Sequence, residues 1–134
     1  MGGSDSAYAP GTYGSQGVAG AGNVPGARGE AQSWTDNQGN FWLFGGFGYT
    51  PANSGELNDL WMYNPSTQSW TWVNGANQAD SSGSYGQLGI PAASNSPSAR
   101  YLAASWIDPA GHLWLLGGWD FQGNILNDLW EYDP

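Results

Sequence analysis

The chain contains no cysteine and no lysine. Without cysteine there are no disulfides, no thiolate nucleophile and no thiolate metal ligand, while the redox compartment stays open. Arg28 and Arg100 are the only arginines against eleven acids, giving a formal net charge of -9 at pH 7. That balance favours solubility and argues against a nucleic-acid phosphate backbone as partner. Long apolar runs are also missing. Nothing approaches the ~18 residues of a membrane span, and no basic segment ahead of an apolar core reads as a secretory signal. A single histidine, His112, in a chain without cysteine argues against a transition-metal site, so neither metal nor cofactor is expected. Asp36-Asn37-Gln38-Gly39 does not follow the ligand order of an EF-hand loop. There is no Gly-rich phosphate loop ahead of a helix, no Gly-x-Ser-x-Gly elbow and no Ser-His-Asp set in a recognisable context. No spacing among the acids singles out a catalytic pair, and no catalytic residue is assigned.

What is abundant is glycine, with 22 residues, and tryptophan, with nine, while charged residues make up 10% where about 25% is usual. A lysine-free composition rich in Asn, Ser, Gly, Thr and Trp is associated with secreted or cell-surface bacterial proteins. That association leaves the localisation unassigned.

The strongest positive signal is a duplication. Leu57-Asn58-Asp59-Leu60-Trp61-Met62-Tyr63-Asn64-Pro65 returns as Leu126-Asn127-Asp128-Leu129-Trp130-Glu131-Tyr132-Asp133-Pro134. Upstream, Phe41-Trp42-Leu43-Phe44-Gly45-Gly46 matches Leu113-Trp114-Leu115-Leu116-Gly117-Gly118, and Arg28, Trp34 and Asp36 match Arg100, Trp106 and Asp108, all at an offset of 72 positions. Tyr13, Gly14 and Gly17 match Tyr85, Gly86 and Gly89 at the same offset. After the double glycine the offset falls to 69, which places three extra residues between Gly46 and Leu57 in the first copy. Self-similarity at a long period marks a repeat architecture, in which one unit cannot bury its apolar face alone.

Within a unit the pattern is all strand. Ala31 to Thr35, the turn Asp36 to Asn40 and Phe41 to Phe44 read as a hairpin; Phe41-Trp42-Leu43-Phe44 is apolar on both faces, as in a strand between two layers. The double glycine should end that strand where backbones approach closely. Asp59 to Asn64 reads as a third strand, and Ser69-Trp70-Thr71-Trp72-Val73 as a fourth with one bulky face. The second copy repeats three of these, as Tyr101 to Ile107, His112 to Leu116 and Asp128 to Asp133. Residues 1–27 and 75–99 are Gly-, Ser- and Pro-rich connections. Their shared Tyr-Gly-x-x-Gly predicts ordered loops with a tyrosine packed down and glycines at positive φ.

Four short antiparallel strands, a double glycine after the second, a Tyr in the third and a Trp in the fourth resemble the kelch repeat. The match rests on Gly45, Gly46, Tyr63 and Trp70 in the first copy and on Gly117, Gly118 and Tyr132 in the second. Its period exceeds the roughly 50 residues of kelch units, as in the long repeats of bacterial kelch-containing proteins that resemble the galactose oxidase central domain. The resemblance implies β-propeller blades of four-stranded antiparallel sheets, blade one over 28–74 and blade two over 100–134. It does not bring copper chemistry, which in galactose oxidase requires a cysteine.

Aligning the copies sets Met1-Gly2-Gly3 opposite Val73-Asn74-Gly75 and Pro134 opposite Pro65. The second blade therefore lacks an outer strand equivalent to Trp70 and Trp72. Propellers close with about four to eight blades, so the expectation is either a fragment of a longer array or copies that associate into a ring.

Candidate residues carry two readings each. Arg28 and Arg100 are anion contacts or, as positions repeated in each blade, structural partners of Asp59 and Asp128. Trp34, Trp42, Trp61, Trp70, Trp72, Trp106, Trp114 and Trp130 read as core. Trp119, just after Gly118, stands with Asp120 and Phe121 in what reads as a connecting loop, with Tyr49 on the corresponding loop of the first copy. An aromatic ring beside acid and amide groups is what sugar recognition uses, and ordinary loop packing is the competing explanation. The reading taken is a non-catalytic interaction module that binds protein or carbohydrate through rim loops, as part of a larger propeller or by self-association. The competing readings are a fragment of a propeller enzyme (an oxidase, sugar epimerase or hydrolase) whose active site lies in other blades, and a self-assembling building block.

Overall fold

A computed structural model describes residues 3–134, and the alignment of Met1 and Gly2 with Val73 and Asn74 lies outside the described residues. The described chain forms β1 (Arg28–Gly29), β2 (Gln32–Thr35), β3 (Phe41–Phe44), β4 (Phe47–Tyr49), β5 (Ser54–Glu56), β6 (Leu60–Asn64) and β7 (Ser69–Asn74) in the first copy. The second copy supplies β8 (Arg100–Tyr101), β9 (Ala104–Ile107), β10 (Leu113–Asp120) and β11 (Ile125–Tyr132), and no helix occurs among the described residues. The fold is all-β, with antiparallel pairing between every joined pair of strands.

In the first unit four strands run in the order β2-β3-β6-β7. The β2–β3 turn is made by Asp36, whose Oδ1 accepts the backbone N–H groups of Gln38 and Asn40, each at 2.9 Å. Its Oδ2 accepts the Trp42 indole N–H at 2.8 Å, so one carboxylate closes the turn and fixes the first ring of the next strand. Across the hairpin Trp34 pairs with Trp42, and across the next ladder Leu43 pairs with Trp61.

The double glycine ends β3 in the first unit, as the spacing predicts, but does not end the equivalent strand of the second. In the second unit β10 runs through Gly117 and Gly118 with a register shift between Leu116 and Gly118, and its far end pairs with β8. In the first unit the same step separates β3 from β4, which pairs with β1 and β5 as a small three-stranded sheet. Gly45 and Gly46 sit at φ +64° and +89°, and a Cβ on Gly46 would stand 2.5 Å from the Gly29 carbonyl oxygen. In the second unit the pair is thus a bulge within a continuing strand, and in the first it is the step from one sheet to the next. Strand Ile125–Tyr132 likewise begins earlier than Asp128, while Tyr101 to Ile107 divides into β8 and β9 at Leu102, whose φ is +54°.

The two units pack face to face. Trp34, Trp42, Phe44 and Leu60 from the first sheet meet Leu113 and Leu115 from the second, with Met62, Val73, Ile107, Trp130 and Tyr132 around them. Each large side chain buried there contributes about 1.5–3 kcal/mol. Strand β3 buries Trp42 and Phe44 in this layer and leaves Phe41 half exposed on its other face. Polar bonds fix the relative position of the units: Trp34 donates to the Trp106 carbonyl at 3.0 Å, Gly46 N–H to Arg100 O at 2.9 Å, and Arg100 N–H to Leu57 O at 3.0 Å.

Both long connections are ordered. Thr12 bridges Val24 and Ser84 bridges Ser96, at the same relative positions. Gly14, Gly17, Gly86 and Gly89 all take positive φ. The first connection also caps the outer strand, since Gly17 and Gly20 donate to the carbonyls of Trp72 and Trp70 at 2.8 and 3.2 Å.

Candidate functional site

Each unit contains a polar brace built from the residues that the duplication repeats. In the first, Arg28 Nη1 and Nη2 reach Asp59 Oδ1 and Oδ2 at 2.6 and 2.7 Å. Asp59 Oδ2 also accepts the Tyr13 hydroxyl at 2.6 Å and the Trp61 indole N–H at 2.7 Å. Arg28 spends its other protons on the carbonyls of Gly45 and Gly26. The second brace has the same parts: Arg100 reaches Asp128 at 2.6 and 2.8 Å, and Tyr85 and Trp130 donate to Asp128 Oδ2 at 2.9 and 2.7 Å. The double glycine belongs to the brace, because Arg100 Nη1 donates to the Gly117 carbonyl as Arg28 does to Gly45. A planar fork meeting a carboxylate in two parallel bonds explains why arginine, not lysine, stands at both positions.

Burial by itself would lower the affinity of Arg28 for its proton, but the bond and charge of Asp59 outweigh it and hold the guanidinium charged. Burial, reinforced by the adjacent Asp59 charge, pushes the Tyr13 phenol well above its ordinary range, so it stays a donor. Partial burial opposes ionisation of Asp128, yet Arg100, Trp130 and Tyr85 prevail and bring its carboxyl down to about 2. Tyr13 and Tyr85 were not read from the sequence as brace members. Their shared Tyr-Gly-x-x-Gly register was the available signal, and what it omitted was the partner more than forty positions away.

The four rim candidates are placed as follows. Trp119 lies in β10, paired with Ile125 and Tyr101, and remains 38% exposed. Asp120 ends β10 and closes the β10–β11 turn, accepting from the backbone of Gln122 and Asn124 and from the Asn124 amide. Its role copies that of Asp36, since Asp120-Phe121-Gln122-Gly123-Asn124 repeats the Asp-x-Gln-Gly-Asn order of residues 36–40. Phe121 stands half-buried at the start of that turn. Tyr49 ends β4 in the other unit, its ring 5.2 Å from that of the exposed Tyr8. Trp119 to Phe121 are therefore contiguous on one hairpin, while Tyr49 sits on the corresponding hairpin of the first unit.

Two apolar faces point outward. The face that the first unit buries with Trp34, Trp42, Phe44 and Leu60 is presented in the second by Trp106, Trp114, Leu116 and Leu129. Of these, Trp106, Leu116 and Leu129 are exposed. Trp106 and Trp114 stack with ring centroids 6.1 Å apart. On the far side of the first sheet Phe41 stacks on Tyr63 at 6.2 Å, where the second sheet has its buried Leu113 and half-buried Tyr132. Among the described residues β11 has a partner on one edge only, β10.

A third cluster gathers at the β9–β10 turn. Asp108 Oδ1 accepts from the backbone of Ala110, Gly111 and His112, and Oδ2 accepts from the Trp114 indole at 2.9 Å. That indole bond, strongest among several, brings the Asp108 carboxyl down to about 2. His112 Nδ1 lies 3.1 Å from Asp108 Oδ2 and 2.9 Å from Glu131 Oε1. Glu131 arrives from β11, where it pairs with Trp114, and it was missed because only the strand register brings it beside His112. No protein-family model matches the chain, and no curated protein matches it.

Proposed function

We propose that this chain is a pair of kelch-type propeller blades that acts as a non-catalytic interaction module, its partners being further units of the same kind, from copies of itself or from a longer parent chain. The observation that carries this reading is the mismatch between equivalent faces. Trp34, Trp42, Phe44 and Leu60 are buried against the second unit, whereas Trp106, Leu116 and Leu129, their equivalents, face solvent. Contiguous exposed apolar residues on a soluble domain mark an interaction surface. The residues that the first unit offers on its far side, Phe41, Leu43 and Tyr63, are the equivalents of Leu113, Leu115 and Tyr132, which mate with the first face inside the molecule. A second copy stacked in the same sense repeats an interface that the chain already makes. Such a contact is head-to-tail, so it propagates until it closes into a ring or continues as a filament.

Light scattering on the purified chain tests this. The expected result is a discrete multimer that Leu116→Asp, on the outward face, converts to monomer. A monodisperse monomer across the micromolar range would overturn the reading.

The exposed Trp119 ring beside Phe121 supports a second reading, carbohydrate recognition at the β10–β11 hairpin. Asp120 has both oxygens engaged by its own turn, so the ring would be the main contact. Binding across a glycan panel that disappears in Trp119→Ala would favour it, and a silent panel would remove it.

A further inference from the structure

The corner around Asp108 is chemically unlike its equivalent in the first unit. There Asp36 is accompanied by Asn40, Met62 and Asn64; at the same repeat positions Asp108 has His112, Glu131 and Asp133. Three neutral side chains have become an imidazole and two carboxylates, while the turn aspartate, the turn glycine (Gly39 or Gly111) and the bonded tryptophan (Trp42 or Trp114) are kept. The fold does not demand the change. Asp36 closes the same turn with Asn40, whose backbone and side-chain N–H groups each lie 2.9 Å from the carboxylate.

The new side chains converge. Asp108 Oδ2, His112 Nδ1 and Glu131 Oε1 all lie within 4.8 Å of one another, and Asp133 Oδ1 is 3.9 Å from His112 Nε2. Asp108 and His112 belong to the β9–β10 turn, Glu131 to β11 and Asp133 to the residues just past it, so the set is brought together by the β10–β11 register as well as by the turn. Three carboxylates therefore surround one imidazole. The chain has no lysine, and both arginines are committed to Asp59 and Asp128.

We propose that Asp108, His112 and Glu131 form a binding site for one divalent transition-metal ion of the zinc class. One imidazole nitrogen with two carboxylate oxygens is a mixed donor set that such ions accept, with water completing the coordination, whereas calcium and magnesium gain little from the nitrogen. Asp108 is already oriented for this. Its Oδ1 is fixed by the turn and its Oδ2 by Trp114, which leaves Oδ2 a lone pair directed at the imidazole.

The test is titration of the full chain with Zn2+ at pH 7.5, followed by calorimetry and by proton NMR. His112 is the only histidine, so its imidazole resonances are unambiguous. One saturable site that shifts those resonances is expected, with excess Ca2+ failing to compete. His112→Asn and Glu131→Met restore residues that fold at the equivalent positions of the first unit, and each should weaken binding at least about tenfold. Circular dichroism checks that both remain folded. Unmoved His112 resonances, equal competition by Ca2+, or unchanged affinity in both folded variants would each overturn the proposal, the last two by showing only general attraction of cations to an acidic surface.

Discussion

The two braces have the same parts and different surroundings. Arg28 and Arg100 each hold an aspartate at 2.6 Å, yet the side chain of Asp59 is 0% exposed and that of Asp128 is 24% exposed. Tyr13 is 5% exposed and Tyr85, its equivalent, 49%. What differs is cover. Strand β7 lies along β6 in the first unit, its Trp72 standing edge-on to Tyr13 with ring centroids 5.2 Å apart, and the connection before it closes over the strand. At the second brace Trp130 packs on Tyr85, and no strand equivalent to β7 lies along β11 among the described residues. The comparison separates two contributions that usually arrive together: hydrogen-bonding geometry, which each unit builds for itself, and exclusion of water, which an outer strand supplies.

The largest expected effect comes from removing one acid from each brace. Asp59→Ala leaves a buried guanidinium without its charge partner and should cost about 3–5 kcal/mol. Asp128→Ala also leaves a buried guanidinium but should cost less, about 1–3 kcal/mol, because water reaches the 24% exposed aspartate side and Arg100 keeps the Ser98 hydroxyl and the carbonyls of Ser98 and Gly117. Urea unfolding of the two variants gives the comparison directly. Equal losses would mean that cover does not set the strength of the brace.

A smaller and sharper contrast is offered by the tyrosines. Tyr13→Phe deletes a buried hydrogen bond to a charged acceptor and should cost about 1.5–3 kcal/mol. At Tyr85 water can replace the hydroxyl, so Tyr85→Phe should cost less than about 1 kcal/mol. Thermal midpoints measured side by side resolve the difference, and a reversed order would place the protection elsewhere than in β7.

The same division explains what could be read from the sequence. The duplication, the short antiparallel strands and the Asp36 turn were legible because they are local: spacing, alternation and turn chemistry each act within a few residues. The double glycine was legible as a close approach and as the end of β3, whereas in the second unit the strand runs on through it. Its consequence, a continuing strand carrying Trp119 and Asp120, depends on the pairing of β10 with β8, which sequence spacing does not state. For the same reason Trp119 to Phe121 read as a loop, and Asp120 as a candidate ligand contact, although its spacing to Gly123 and Asn124 copies the turn of Asp36. His112 read as isolated because its partner Glu131 stands across a strand ladder. Exposure was least legible of all. Trp106 and Trp34 occupy equivalent positions with equivalent neighbours, and only the presence of a second sheet against one of them makes it core.

The smallest expected effect is a pH dependence that should mark the second brace. The Asp128 carboxyl sits at about 2 in the folded chain, where Arg100 and the Trp130 and Tyr85 donors overcome its partial burial, against about 3.9 for an aspartate in an unfolded chain. A depressed folded value means that the unfolded state binds the proton first, so this stabilisation is complete above about pH 4 and is lost as the pH falls towards 2. Asp108 falls to a similar value through its bond from Trp114 and contributes over the same window. Because Asp128 is partly open to solvent, its share is screened and should be modest. Asp128→Asn should therefore lower the urea midpoint at pH 6 and flatten, without abolishing, its decline between about pH 4 and pH 2. A variant whose curve runs parallel to that of the parent would show that the acid sensitivity belongs to the turns alone and that the open brace carries none of it.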